Sequence, residues 1–109
     1  ATTTSRDNID VLLSASLGKD WEQWFTAIAA GDEVRRKKPA PDVYLKVLDK
    51  LNLPAKECLA IEDSGIGLAA ATGAGIPVLI SRSAYFSDDD FSGAACTVDD
   101  LTDVTGVRE

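Results

Sequence analysis

Glu62 and Asp63 stand side by side at the end of a short apolar run, Cys58-Leu59-Ala60-Ile61. Such a run suits a buried parallel strand. In open α/β sheets, ligands bind beyond the carboxyl ends of the strands. Two carboxylates held together there repel each other unless a cation offsets them. Hard oxygen donors of this kind suit Mg²⁺, which takes one or two carboxylates together with water and phosphate. The alternative is a solvated acidic turn in which Asp63 or Ser64 caps the next helix.

Two further groups could handle an anion. Thr2, Thr3, Thr4 and Ser5 precede a predicted helix. Hydroxyls and backbone N–H groups at a helix start can bind phosphate, or can simply cap the helix. Lys38 precedes Pro39-Ala40-Pro41-Asp42. A lysine beside a rigid Pro-x-Pro turn can pair with a phosphate and offset nearby acids. Its neighbours Arg35, Arg36 and Lys37 read as a solvated charge run.

These residues need a frame. Ile9, Leu12, Leu13 and Leu17 predict an amphipathic helix from Asp7 to Leu17, with Gly18 as its C-cap. Lys19 to Trp24 reads as a short helical turn. Tyr44, Val47, Leu48 and Leu51 give a second helix its apolar face, with Pro41 at its start and Asn52 at its end. Ser64 to Ala74 predicts a third helix with a small-residue surface, stopped by Gly75. Phe25–Ala29, Cys58–Ile61, Pro77–Ile80 and Cys96–Val98 are the candidate strands. Ser87 to Asp90 reads as an acidic turn, and Asp99 to Leu101 as the opening of a last turn. Strands alternating with helices predict an α/β fold with a parallel sheet.

Composition narrows the chemistry. The 109 residues make one domain at most, with a formal net charge of -7. That charge speaks against nucleic acid, whose phosphates attract basic surfaces. It leaves room for a small phosphorylated substrate. The uncharged stretch Ser64 to Ser81 is too rich in Gly, Ser and Thr for a membrane span. Ala1 to Asp7 holds no apolar leader segment, so the expected location is the cytoplasm. Cys58 and Cys96 read as two buried free thiols. There is no histidine, which removes Ser-His triads and His-ligated zinc.

Taken in order, three stretches carry a family likeness. They are Thr2 in its hydroxyl-rich start, Lys38-Pro39-Ala40-Pro41-Asp42, and Ile61-Glu62-Asp63-Ser64-Gly65-Ile66-Gly67. The set resembles motifs two, three and four of the haloacid dehalogenase superfamily, over about Ala1 to Leu101. The wording is similar to its branch of sugar-phosphate phosphatases and β-phosphoglucomutase. The resemblance implies a three-layer, Rossmann-like parallel sheet and a phosphoaspartyl mechanism. In that scheme an Asp attacks the phosphoryl group, and a second Asp two residues later serves as acid and base.

Carried over, Thr2 would donate to the phosphoryl oxygens, and Lys38 would pair with the phosphate and the nucleophile. Asp63 would ligate Mg²⁺, with Glu62 beside it, directly or through water. Thr3, Thr4, Ser5 and Arg6 stand where the family often touches the far end of the substrate.

The family's first motif, Asp-x-Asp-Gly-Thr, does not occur in this sequence, and neither does the cap domain that the branch carries between its first two motifs. The expectation is therefore the C-terminal part, residues 1–109, of a larger enzyme. Its nucleophile would be carried by the missing N-terminal part of the same protein, and the sheet of this chain alone would have a gap at its centre. The implied activity is hydrolysis of a small phosphorylated metabolite, with a sugar phosphate foremost. A mutase of the β-phosphoglucomutase type and a truncated phosphate-binding domain without turnover are the alternatives.

Overall fold

The computed structural model describes residues 1–82 and 89–98. The predicted last turn, Asp99 to Leu101, lies outside them, as do two residues of the predicted acidic turn, Ser87 and Asp88. Among the described residues the α-helices are α1 (Arg6–Leu17), α2 (Asp42–Leu51) and α3 (Gly65–Gly73). Three strands, β1 (Ala60–Glu62), β2 (Val78–Ser81) and β3 (Cys96–Val98), form a parallel sheet in the order β1-β2-β3. Short 3₁₀ turns at Trp21–Trp24, Gly31–Glu33 and Ala55–Glu57 connect these elements.

Each helix begins and ends for a local reason. The Ser5 hydroxyl accepts from Asn8 N at 3.3 Å, and Gly18, at φ +90°, donates its N–H to Ser14 O. Ser64 caps α3 by accepting from Gly67 N at 3.0 Å. Asn52 takes the left-handed conformation that ends α2, at φ 55°. The small residues of α3 permit close packing. Ala70 and Ala71 are fully covered, and a Cβ at Gly73 would lie 3.3 Å from Pro41.

The core lies between one face of the sheet and helices α2 and α3. Ala60, Val78 and Ile80 meet Val43, Tyr44, Leu68, Ala70 and Ala71 there. Val78, Ile80 and Val43 are essentially without exposed surface. Each such side chain stabilises the fold by roughly 1.5–3 kcal/mol through burial. The other face is less covered. Leu59 and Ile61 stay about half exposed, although Ile61 pairs with the buried Leu79. A second cluster of Ile9, Trp21 and Ala30 packs α1 onto the turn after it, and the Trp21 indole donates to Asp10 at 3.0 Å.

Four sequence expectations need correction. Phe25–Ala29 forms no strand: a ladder needs a partner, and this segment has only scattered main-chain bonds. Thr2 N donates to Ala29 O at 3.0 Å, and Gly31 N donates to Thr4 O at 2.9 Å. The strand predicted at Cys58–Ile61 begins instead at Ala60 and runs on to Glu62, placing the first acid on the strand itself. Cys96 is exposed and Cys58 only half-buried, although both thiols are free. Cys96 lies in register with Leu79, on β3. On α1 only Ile9 is buried, because Leu12 faces an open apolar cleft of about 200 Å³ and Leu17 is exposed.

β1 has β2 on one side. Among the described residues no main-chain hydrogen bond joins its other edge to the segments at Ala1–Thr4 or Ala29–Gly31. No helix among the described residues is long and apolar enough to cross a membrane.

Candidate active site

The space between β1 and the chain start is a cavity of about 470 Å³, lined by Ala1, Thr2, Thr3, Thr4, Lys38, Glu62, Asp63, Ser64, Ile66 and Asp89. It lies beyond the carboxyl end of β1. Residues far apart in sequence meet in it because β1, the α2 approach and the 1–4 segment all end at this place.

The acidic end is built by β1 and the start of α3. Glu62 lies in register with the buried Ile80, so its side chain points toward the helices. There Lys38 Nζ donates to Glu62 Oε1 at 2.7 Å, and the Tyr44 hydroxyl donates to the same oxygen. The Lys38 ammonium also sits 5.1 Å from the centre of the Tyr44 ring. The Lys38 and Glu62 side chains are 11% and 10% exposed, so this ion pair is largely out of water. Burial and the adjacent Glu62 carboxylate hold the Tyr44 phenol well above its ordinary pKa, so it stays a donor.

The other Glu62 oxygen rests against α3, where a Cβ on Gly67 would stand 1.9 Å from Oε2. Asp63 is exposed on the cavity wall, and no hydrogen bond or ion pair engages it among the described residues. Asp89 joins the wall and accepts from Gly65 N at 2.8 Å, at the start of α3.

The hydroxyl side is built by the two bonds that tie residues 1–4 to Ala29–Gly31. Thr2, Thr3 and Thr4 line the cavity. The Thr2 hydroxyl accepts from Thr4 N at 3.1 Å, which curls the segment. Ser5 caps α1, and Arg6 forms an ion pair with Glu22 and lies over the Trp21 ring. Neither lines the cavity. Glu33 steadies the facing segment by accepting from Ala30 N at 2.6 Å and from Lys50 at 2.7 Å, contacts that hold its carboxyl below the ordinary range.

Gly31 lets the two segments meet, since a Cβ there would lie 1.9 Å from Thr3 O. Gly31→Ala is expected to destabilise the fold by ~1–3 kcal/mol, the cost of forcing atoms into filled space. Urea unfolding of the complete protein, compared with its Gly31→Ala variant, checks this.

The donor set fits Mg²⁺. Asp63 offers a carboxylate that no hydrogen bond or ion pair engages among the described residues, and Glu62 lines the same cavity with Oε1 taken by Lys38 and Tyr44 and Oε2 against α3. Among the described residues no group of three or more His, Cys, Asp or Glu side chains could hold a metal. Mg²⁺ commonly takes only one or two carboxylates and completes its shell with water and substrate phosphate. Tyr44 and Asp89 escaped the sequence reading. Tyr44 follows Asp42 by two residues and read as part of an apolar helix face. Asp89 read as one of several acids in a turn.

A family model described as haloacid dehalogenase-like hydrolase matches residues 1–81. Among curated relatives, Protein CbbY of Rhodobacter capsulatus is 52% identical over 102 residues, covering 94% of this chain and 45% of that protein. The plasmid-borne Protein CbbY of Cupriavidus necator is 50% identical over 103 residues, covering 94% of this chain and 41% of that protein. The chain thus spans less than half the length of these relatives. Two crystal structures of CbbY from Rhodobacter sphaeroides superpose with a TM-score of 0.89 at 38% identity, covering 99% of this chain and 48% of theirs. One is a complex with phosphate, and the other, of a mutant, a complex with xylulose 1,5-bisphosphate.

Proposed function

Because the chain belongs to the haloacid dehalogenase-like hydrolases, we propose that it is the part of a Mg²⁺-dependent sugar-phosphate phosphatase carrying motifs two to four. The observation that carries this reading is the meeting of Thr2, Lys38, Glu62 and Asp63 at one cavity. Its two sides offer a hydroxyl and ammonium for a phosphoryl group, and carboxylates for a cation.

In this reading Thr2 donates its hydroxyl to a phosphoryl oxygen. Lys38 turns one N–H toward the phosphate while Glu62 holds the ammonium from behind. Asp63 would hold Mg²⁺, with Glu62 beside it, directly or through water, and the ion would offset developing negative charge. Phosphoryl transfer depends chiefly on such positioning and charge stabilisation. Thr3 and Thr4 lie along the substrate, with Ser5 and Arg6 beyond them toward its far end. The nucleophilic Asp comes from a segment outside this sequence, in the N-terminal part of the same protein. That segment fills the break beside β1, and the reaction passes through a phosphoaspartyl group. The substrate is a small phosphorylated sugar met in the cytoplasm. The xylulose 1,5-bisphosphate complex of a relative supports that class.

The test is phosphate release by the complete protein from p-nitrophenyl phosphate and from xylulose 1,5-bisphosphate, with Mg²⁺ and after chelation. Release that requires Mg²⁺ is expected. A complete protein that bears an Asp-x-Asp segment yet turns over no phosphomonoester would overturn the enzymatic reading and leave a phosphate-binding domain.

A further inference from the structure

We propose that Tyr44 is a positioning residue of this site: it fixes the oxygen of Glu62 that holds Lys38, and so the direction of the Lys38 ammonium. The inference rests on the phosphatase reading for its consequence, but on geometry alone for its substance. Tyr44 is 9% exposed, on the first turn of α2. A buried phenol in a helix that packs by apolar contacts could be a phenylalanine at no loss of packing. Here the hydroxyl is spent on Glu62 Oε1, the same oxygen that accepts from Lys38.

The ring of Tyr44 does a second task. The Lys38 ammonium lies 5.1 Å from its centre, within reach of the ring's negative face. Three constraints therefore act on one carboxylate and one ammonium. Gly67 supplies the floor under Oε2, the phenol fixes Oε1, and the ring sits under the ammonium. A carboxylate held only by Lys38 could rotate and take the ammonium with it. Held by Tyr44 as well, it keeps Oε1 facing Lys38. The remaining Lys38 protons can then face the cavity, where a phosphate would lie.

Tyr44→Phe removes the hydroxyl and keeps the ring. In the complete protein it is expected to lower kcat about tenfold or more, the loss of one hydrogen bond to a charged group, with KM for p-nitrophenyl phosphate within about twofold of the parent. In a Glu62→Gln background the same change is expected to add little, since its target is already altered.

A second readout needs no turnover. In a ¹H–¹⁵N spectrum of lysine ammonium groups, Lys38 is expected to give a slowly exchanging signal shifted upfield by the Tyr44 ring. In Tyr44→Phe, where the ring stays but Glu62 Oε1 is no longer fixed, that signal is expected to move and to exchange faster. A parent without turnover defeats the phosphatase reading and leaves the spectrum to decide this one. An unchanged kcat, independent effects of the two substitutions, or an unmoved Lys38 signal would each overturn the role of Tyr44.

Discussion

Lys38→Ala in the complete protein is expected to lower turnover by roughly ten- to a hundredfold and to destabilise the fold as well. Under the proposed function, the catalytic loss is that of a charge-assisted contact to phosphate, worth ~1.5–3 kcal/mol. The stability loss has a different origin. Lys38 and Glu62 are almost out of water and 2.7 Å apart. Removing one partner leaves a buried carboxylate uncompensated, at a cost of ~3–5 kcal/mol.

The two losses separate in the double variant Lys38→Ala, Glu62→Gln. Neutralising Glu62 is expected to recover much of the stability and none of the turnover. The checks are kcat at saturating Mg²⁺ and urea unfolding of each variant. A Lys38→Ala protein with parental stability and parental kcat contradicts the arrangement described for this pair.

Gly67→Ala is the second large effect, and its sign is informative. Glycine inside a helix costs about 0.5–1 kcal/mol relative to alanine, so helix propensity alone predicts stabilisation. The site predicts the reverse. A Cβ at Gly67 would stand 1.9 Å from Glu62 Oε2 and 2.3 Å from its carboxyl carbon. Glu62 must move, and the bonds from Lys38 and Tyr44 move with it. The expected result is a loss of ~1–3 kcal/mol of stability and a fall in turnover comparable to that of Tyr44→Phe. A Gly67→Ala protein more stable than its parent, with unchanged kcat, would mean that Glu62 does not rest on α3.

What was legible in the sequence follows from which interactions are local. Caps are local, so Ser5, Gly18, Asn52 and Ser64 mark the helix ends within a residue or so. The short buried run 78–80 announces β2 for the same reason. Phe25–Ala29 has the composition of a strand, but strand formation needs a neighbour, and residues 1–4 give it one main-chain bond, at Ala29, with a second just beyond it at Gly31. Cys96 has small neighbours in sequence, yet its burial depends on what covers the sheet face.

The site divides in the same way. Lys38, Glu62 and Asp63 stood out by charge and by their place at turn and strand ends. Nothing local could show that Lys38 and Glu62 pair, because 24 positions separate them. Tyr44 was hidden by its position: a phenol on an apolar helix face looks like any aromatic until its hydroxyl finds a carboxylate. Arg6 offers the opposite case, a cation next to the hydroxyl run that spends its charge on Glu22.

The central claim is that Thr2, Lys38 and the Glu62–Asp63 pair form one phosphate and Mg²⁺ site. Calorimetric titration of the complete protein with inorganic phosphate, with and without Mg²⁺, tests it most directly. The account predicts phosphate binding that strengthens when Mg²⁺ is present, and that Asp63→Asn uncouples from the metal. Phosphate affinity indifferent to Mg²⁺ in the parent, or coupling that survives Asp63→Asn unchanged, would contradict it.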